Sequence, residues 1–283
     1  MKIAITGAAG QLGRLVVDEL KRQVDDFSIV AIVRSAPKAQ DLGVEIRVAD
    51  YDEPDGMEKA LIGIDRLLLI SGSEVGKRIK QHSNIIQAAK KAGVKWIVYT
   101  SLLHADRSSL SLAGEHVATE NLLKTSGIPH TILRNGWYTE NYTGSVHAAV
   151  NAGALLGSAG EGKISAAARI DYAVAAARVI SNDAYIGKTF ELSGDLYFTL
   201  ADLAAEVSKQ TGKNIIYKNL SEQEYVETLL GFGIPDQLAH AIAGWDVSAS
   251  KGDLFNQGHD MSAIIGRDTT SLSESVKNAL VQS

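Results

Sequence analysis

Met1-Lys2-Ile3-Ala4-Ile5-Thr6-Gly7-Ala8-Ala9-Gly10-Gln11-Leu12-Gly13 opens the chain, and its reading decides the fold. Ile3, Ala4 and Ile5 read as a short buried strand. Gly7, Gly10 and Gly13 form a G-x-x-G-x-x-G turn, and Leu12 to Leu20 carries apolar residues at helical spacing. Strand, glycine turn and helix in that order make a phosphate cradle. Glycines let the backbone turn tightly and approach a pyrophosphate, and a helix N-terminus offers unpaired N–H groups at the positive end of its dipole. Thr6, Gly7, Gly10, Gln11 and Leu12 are therefore candidate contacts to a dinucleotide. The alternative is a tight turn that holds no ligand.

The pattern repeats outward from there. Ser28 to Val33 is a β-branched, nearly continuous apolar run, the signature of a strand buried on both faces of a parallel sheet. Arg34 follows it. An acidic residue at that point suits the ribose 2′-hydroxyl of NAD, whereas an Arg suits the 2′-phosphate of NADP, with Lys38 one helical turn on. A charge-assisted contact of this kind is worth roughly 1.5–3 kcal/mol. NADP is expected over NAD; the other reading of Arg34 is a solvated loop residue.

Val44 to Asp50 is a third strand, and Asp50 either meets an adenine amino group or caps the short helix that starts near Glu53-Pro54. Ile64 to Ile70 is a fourth. Ser71, Gly72 and Ser73 after it either let the backbone pass close to a ribose or form a plain turn. The helix from Gly76 to Ala92 is expected to bury Ile79, Ile85, Ile86 and Ala89, and Gly93 ends it. Lys95 to Ser101 is the fifth strand. Thr100 and Ser101 sit at its carboxyl end, where open α/β sheets place ligands. His104 is either a surface loop histidine or a polar contact to substrate. A helix over Ala113–Leu123 and a sixth strand over Thr131–Arg134 complete the series. Such βα repeats demand a parallel sheet with helices on both faces.

Past Arg134, Asn135-Gly136-Trp137-Tyr138-Thr139-Glu140-Asn141-Tyr142 concentrates aromatics and amides just after a strand end. Asn135, Trp137 and Tyr138 are candidate walls of a slot for a flat, conjugated substrate. The competing reading is aromatic packing between the sheet and a C-terminal lobe. Gly153 to Lys163 reads as irregular loop or short pairings. Arg169 and Asp171 open a helix and are expected to tie the lobe to the sheet through an ion pair. Thr199 with Asp202 reads as a helix cap, Ser248 to His259 as a mobile loop, and Ser271 as the last cap.

Composition excludes several classes of protein. The 283 residues suffice for one large α/β domain with an appended lobe. A formal charge of −5 argues against a broad nucleic-acid surface. No apolar run approaches the ~20 residues of a membrane span, and the first strand starts too early to leave room for a signal peptide. With no cysteine there is no disulfide, thiol nucleophile or Cys-ligated metal, and no metal site is expected. A cytoplasmic location fits these features, and a homo-oligomer is left open.

The segments Ile3–Gly13, Val30–Arg34, Leu67–Ser71, Tyr99–Asp106, Leu133–Tyr138 and Ser248–Gly252 together resemble the NmrA-like branch of the atypical short-chain dehydrogenase/reductase superfamily, and within it the type 2 NAD(P)H:quinone oxidoreductases of bacteria. The resemblance implies a Rossmann-type doubly wound parallel sheet and a smaller C-terminal α/β lobe, with a cleft between them. The expected division is a dinucleotide-binding domain over 1–152, with returns at about 164–194, and a substrate-side lobe over 195–283. It also implies NADPH-dependent two-electron reduction of a quinone. One departure from the wider superfamily carries weight. The helix after the fifth strand has no Tyr-x-x-x-Lys; its nearest counterpart is His116 to Glu120. Ser101 is followed by Leu102, which puts a catalytic serine in question as well. Reducing a ketone to an alcohol builds an alkoxide that needs an acid. Hydride addition to a quinone gives a delocalised hydroquinone anion that water can protonate. The missing pair therefore disfavours an ordinary carbonyl reductase and leaves three readings: a quinone reductase, a non-enzymatic regulator that senses NADP, or another atypical reductase or isomerase of the superfamily acting on an unrelated small molecule. His104 and Ser101 are the candidate catalytic side chains.

Overall fold

The computed structural model describes residues 1–281. The expected lobe ends at 283, so its last two positions lie outside the described residues. In chain order the elements are β1 (Ile3–Thr6), α1 (Gln11–Lys21), β2 (Ile29–Val33), β3 (Glu45–Val48), α2 (Pro54–Ala60), β4 (Arg66–Leu69), α3 (Arg78–Ala92), β5 (Trp96–Leu102), α4 (Ala113–Ser126) and β6 (His130–Asn135). There follow α5 (Glu140–Thr143), α6 (Val146–Ala152), β7 (Ala154–Gly157), α7 (Arg169–Ser181), β8 (Thr189–Leu192), α8 (Leu200–Thr211) and β9 (Ile216–Asn219). The chain closes with α9 (Glu222–Gly231), α10 (Asp236–Ser250), α11 (Asp260–Ile265) and α12 (Leu272–Val281).

Seven strands form one sheet in the order β3-β2-β1-β4-β5-β6-β8, every pair parallel. Strand order runs outward in both directions from β1, so the crossovers after β1 and after β4 leave a crevice at the carboxyl ends of β1 and β4. The apolar strands feed two cores because successive side chains face opposite ways. Ile3, Ile5, Ile29 and Ala31 pack with Val16, Val17 and Leu20 of α1 and Ala173, Ala176 and Ile180 of α7. Ala4, Val30 and Ile32 pack on the other face with Met57 of α2 and Ile85, Ile86 and Ala89 of α3. Both faces are thus covered by helices, in agreement with the reading of the strands as continuous apolar runs.

Ile79 departs from its expected place and is 46% exposed. The buried stripe of α3 instead runs through Arg78, His82, Ile85, Ile86 and Ala89, and Ile79 sits one residue, about 100° of helix rotation, away from it. The stretch over 153–163, read as irregular loop or short pairings, contains the short strand β7, which pairs with β9 in a separate two-stranded parallel sheet. A third core lies there, built from Leu155, Phe198, Leu200, Leu203, Val207 and Leu254. The Thr199–Asp202 capping box is made in both directions, and Ser271 Oγ accepts the Glu274 N–H as the last cap.

The segment over 248–259 is not the loose loop its composition suggests. Helix α10 runs through Ser250, and Leu254 is 2% exposed. Ser165 donates its backbone N–H to the Leu254 carbonyl and its hydroxyl to the Asn256 carbonyl. Small polar residues serve close backbone approach here, and the segment is pinned by those bonds.

Candidate functional site

A cleft of about 460 Å³ opens at the carboxyl ends of β1, β2 and β4. Its floor is the Gly7–Gly13 turn. One wall comes from Val33 to Ser35 with Lys38 and Ala49 to Tyr51, the other from Ile70 to Glu74 with Gln81. Gly7 has φ +63°, a left-handed conformation that glycine adopts freely. A Cβ at Gly13 would lie 2.3 Å from the Gly7 carbonyl oxygen and 2.7 Å from Ala8 Cα, so the strand-to-helix turn closes only because no side chain is present. Gly10 caps α1 without a side-chain acceptor, which leaves the first amides of the helix available to an anion. Gly7, Gly10, Gln11, Leu12, Arg34, Ser71 and Gly72, all expected to meet the cofactor, do line this cleft.

Thr6 and Thr100 do not. The Thr6 hydroxyl donates to the Leu68 carbonyl and accepts the Ile70 N–H, and the Thr100 hydroxyl accepts the Ser71 N–H at 2.9 Å. Both hold the wall from behind. Asp50 does line the cleft, but it makes no helix cap: its Oδ1 accepts the Asp52 N–H, while Glu53 stands at the start of α2 without a side-chain bond. Tyr51 donates its hydroxyl to the Ile70 carbonyl, and burial pushes its phenol up to about 12.

Two residues that sequence reasoning missed grip the Gly72 wall. His82 Nε2 accepts the Gly72 N–H at 3.0 Å, and Arg78 Nε donates to the Gly72 carbonyl. Their signal is the i, i+4 spacing on α3, which puts both on the helix face beneath the glycine loop. Burial, and then the Arg78 charge, push the His82 imidazole down to about 4, so the ring is neutral. Since Nε2 accepts, the proton sits on Nδ1, which donates to Thr119 Oγ1 at 2.9 Å.

The positions that would carry carbonyl-reductase chemistry are occupied by buried structural pairs. Ser101 donates its hydroxyl to Glu120 Oε1 at 2.7 Å. Glu120, 1% exposed, is held by Arg134, which also pairs with Asp106 and Glu191. Glu120 first, and then Glu191, drive the guanidinium pKa above its ordinary value. His116 Nδ1 and the Tyr99 hydroxyl share a 2.8 Å hydrogen bond, and burial pushes the His116 ring down to about 3. Each of these polar groups is already engaged by a protein partner.

His104 is not a surface histidine. It is 7% exposed and, among the described residues, is the one non-glycine with a positive φ, +53°. Its N–H donates to Glu191 Oε2 at 2.8 Å, and Nε2 lies 3.2 Å from the Phe255 carbonyl. Neither His104 nor Ser101 lines the cleft, and nor do Asn135, Trp137 and Tyr138. Trp137 packs edge-on against Trp245 of α10 at 5.6 Å, while Tyr138 packs against Tyr172 of α7 at 5.1 Å within the core of the main sheet. Asn135 is buried and its Oδ1 has no hydrogen-bond partner within the protein. Arg169 and Asp171 divide the task expected of them as a pair. Asp171, fully buried, binds Arg267 at 2.6 Å and Thr270, while the Arg169 guanidinium lies over the Tyr138 ring. Among the described residues no group of acidic or imidazole side chains could hold a metal ion, and no helix is long and apolar enough to cross a membrane.

Comparison with known proteins extends this picture. The model of the NmrA-like family matches residues 1–278. Quinone oxidoreductase 2 of Escherichia coli (strain K12) is 54% identical over 279 residues, covering 98% of this chain and 98% of that one. The crystal structure of an NADPH-dependent quinone oxidoreductase from Escherichia coli, complexed with NADPH, superposes with a TM-score of 0.96 at 53% identity, covering 98% and 99% of the two chains. The triphenylmethane reductase of Citrobacter sp., complexed with NADP(H), superposes at 0.95 with 38% identity, covering 98% and 100%.

Proposed function

The chain belongs to the NmrA-like family, and from that premise we infer that it is an NADPH-dependent quinone oxidoreductase, reducing quinones to hydroquinones by two electrons. The observation that carries the reading is the 54% identity to a quinone oxidoreductase across 98% of both chains. The non-enzymatic sensing role is not favoured by that relationship.

The residues present fit the cofactor. The turn at Gly7, Gly10 and Gly13 brings bare backbone and the first amides of α1 to the pyrophosphate, and the strand-to-helix closure that excludes a Cβ at Gly13 supports that role. Arg34, with Lys38, takes the 2′-phosphate. Gln11, Leu12, Ser71 and Gly72 line the rest of the dinucleotide's path, and Thr6 and Thr100 support it from behind. NADPH, when bound, would supply a hydride, which carries both electrons and one of the two protons of the hydroquinone, and water would supply the other proton. The protein's own contribution is to bind, orient and shield. The engagement of Ser101 with Glu120 and of His116 with Tyr99 supports a reaction that requires no protein acid. Asn135, Trp137 and Tyr138 shape the quinone slot; the unpartnered Asn135 Oδ1 supports a polar contact there, and the edge-on packing of both rings leaves them rigid. His104 is a polar neighbour of that slot. The division into a dinucleotide domain over 1–152, with returns at 164–194, and a smaller lobe from 195 onward follows the same reading, as does a cytoplasmic location.

The test is steady-state oxidation of NADPH by benzoquinone or a naphthoquinone, with hydroquinone quantified as product. One hydroquinone per NADPH is expected. NADPH consumption no faster than the enzyme-free control refutes the function.

A further inference from the structure

The Arg34 guanidinium, which the NADPH reading assigns to the 2′-phosphate, already has an anion. Glu74 Oε1 lies 3.1 Å from Arg34 Nη1, reaching it across the cleft from the opposite wall. The other oxygen of the same carboxylate, Oε2, lies 2.9 Å from Lys77 Nζ. The carboxylate is delivered there by a segment tied at both ends. Ser71 donates its N–H to Thr100, Gly72 is held through its N–H by His82 and through its carbonyl by Arg78, and Gly76 donates its N–H to Glu115 Oε1 at 2.9 Å. Glu74 sits at the tip between these anchors. The charged residues lining the cleft are Arg34, Lys38, Asp50 and Glu74, so the cavity is formally neutral although its expected ligand is a polyanion.

We propose that Glu74 is a specificity-setting residue: its carboxylate competes with the 2′-phosphate for Arg34 and holds back the affinity for phosphorylated dinucleotides, while leaving unphosphorylated ones untouched. The inference rests on the NADPH reading of the cleft. A phosphate entering at Arg34 must displace the carboxylate or share the guanidinium with it at close range, and like charges at that distance repel. Both partners of the pair are partly exposed, with side chains 64% and 35% accessible, so the competition is modest. Neutralising Glu74 removes both the competitor and the repulsion, and gives the cleft a net positive charge.

The experiment is calorimetric titration of the intact protein with NADPH, with adenosine 2′,5′-bisphosphate and with 5′-AMP. Glu74→Gln is expected to bind the bisphosphate about two- to fivefold more tightly and 5′-AMP unchanged, the range set by an exposed ion pair. In an Arg34→Ala background the same substitution is expected to give a smaller gain, because the contested cation is gone and only the repulsion is relieved; an undiminished gain overturns the competition for Arg34. Bisphosphate binding that is unchanged or weaker in Glu74→Gln overturns the proposal and makes Glu74 a brace for Arg34. An equal gain for both nucleotides overturns it as well, since the effect would then be general charge. A wild-type protein that fails to bind NADPH brings down the parent reading along with it, so the two failures are told apart by the first titration. Melting temperature matched to wild type verifies that the variant is folded.

Discussion

Gly13→Ala isolates the step at which the turn becomes a fold. The added Cβ would meet the Gly7 carbonyl oxygen at 2.3 Å, Ala8 Cα at 2.7 Å and the Gly7 carbonyl carbon at 2.9 Å, whereas ordinary contact begins near 3.4 Å. All three obstacles are backbone, so no rotamer change relieves them. The first turn of α1 must withdraw by about 1 Å from a close-packed interior. That displacement is resisted by Val16, Val17 and Leu20, each fully buried against the sheet and α7. Overpacking of this kind costs about 1–3 kcal/mol, and the better helix propensity of alanine returns at most about 1. A backbone clash lies at the upper end, so a net loss of about 2 kcal/mol is expected, a fall of about 3–4 °C in melting temperature for a chain of this size. Gly10→Ala is the internal control. Its Cβ would meet a single atom, the Gly7 carbonyl oxygen at 3.1 Å, and the backbone there has an ordinary negative φ. Its stability is expected within about 1 kcal/mol of wild type. Thermal unfolding of both variants, followed by NADPH titration, checks the reasoning. Gly13→Ala melting with the wild type, or Gly10→Ala losing as much as Gly13→Ala, would refute it.

Arg34→Ala should weaken NADPH binding by about tenfold or more, the worth of a charge-assisted phosphate contact, and NADH binding by less than about threefold; equal losses in side-by-side titrations would remove Arg34 from the 2′-phosphate site. Asp246 is 7% exposed and accepts the Ser158 N–H at 2.8 Å, yet burial pushes its carboxyl up from 3.8 to about 6. A folded pKa raised above the unfolded one gives stability that is complete below pH 3.8 and lost as pH rises through about 6. Asp246→Asn should therefore stabilise the protein by up to about 3 kcal/mol at pH 8, with the advantage shrinking as pH falls from 6 toward 4. Melting curves across that range read the trend, and an advantage independent of pH would show that burial of the charge is not its source.

How far the fold was legible follows from the range of the forces involved. The strands, the glycine turn and the capping box at Thr199 are local: apolar period, missing side chains and a hydroxyl three residues from its donor are all written within one short window. Arg34 could be placed at the end of a strand for the same reason. What a polar side chain meets across the molecule is not local. Thr6 and Thr100 looked like ligand contacts because they end strands, but the sheet uses both hydroxyls itself. Ile79 was assigned to the wrong face because apolar character was followed in place of the stripe that Arg78 and His82 occupy. The Gly-rich segment after α10 suggested mobility, and tertiary hydrogen bonds removed it.

The opening thirteen residues determined by themselves that a parallel α/β sheet would begin there with a backbone-lined phosphate cradle, because turn, helix start and steric room are properties of adjacent residues. The side chains that hold the Gly72 wall, the locking of Ser101 and His116 into buried pairs, and the carboxylate set against Arg34 were decided only by the tertiary structure. Each depends on partners from 6 to 40 residues away brought together by packing; the i, i+4 spacing puts Arg78 and His82 on one helix face, but which loop that face meets is set by the packing.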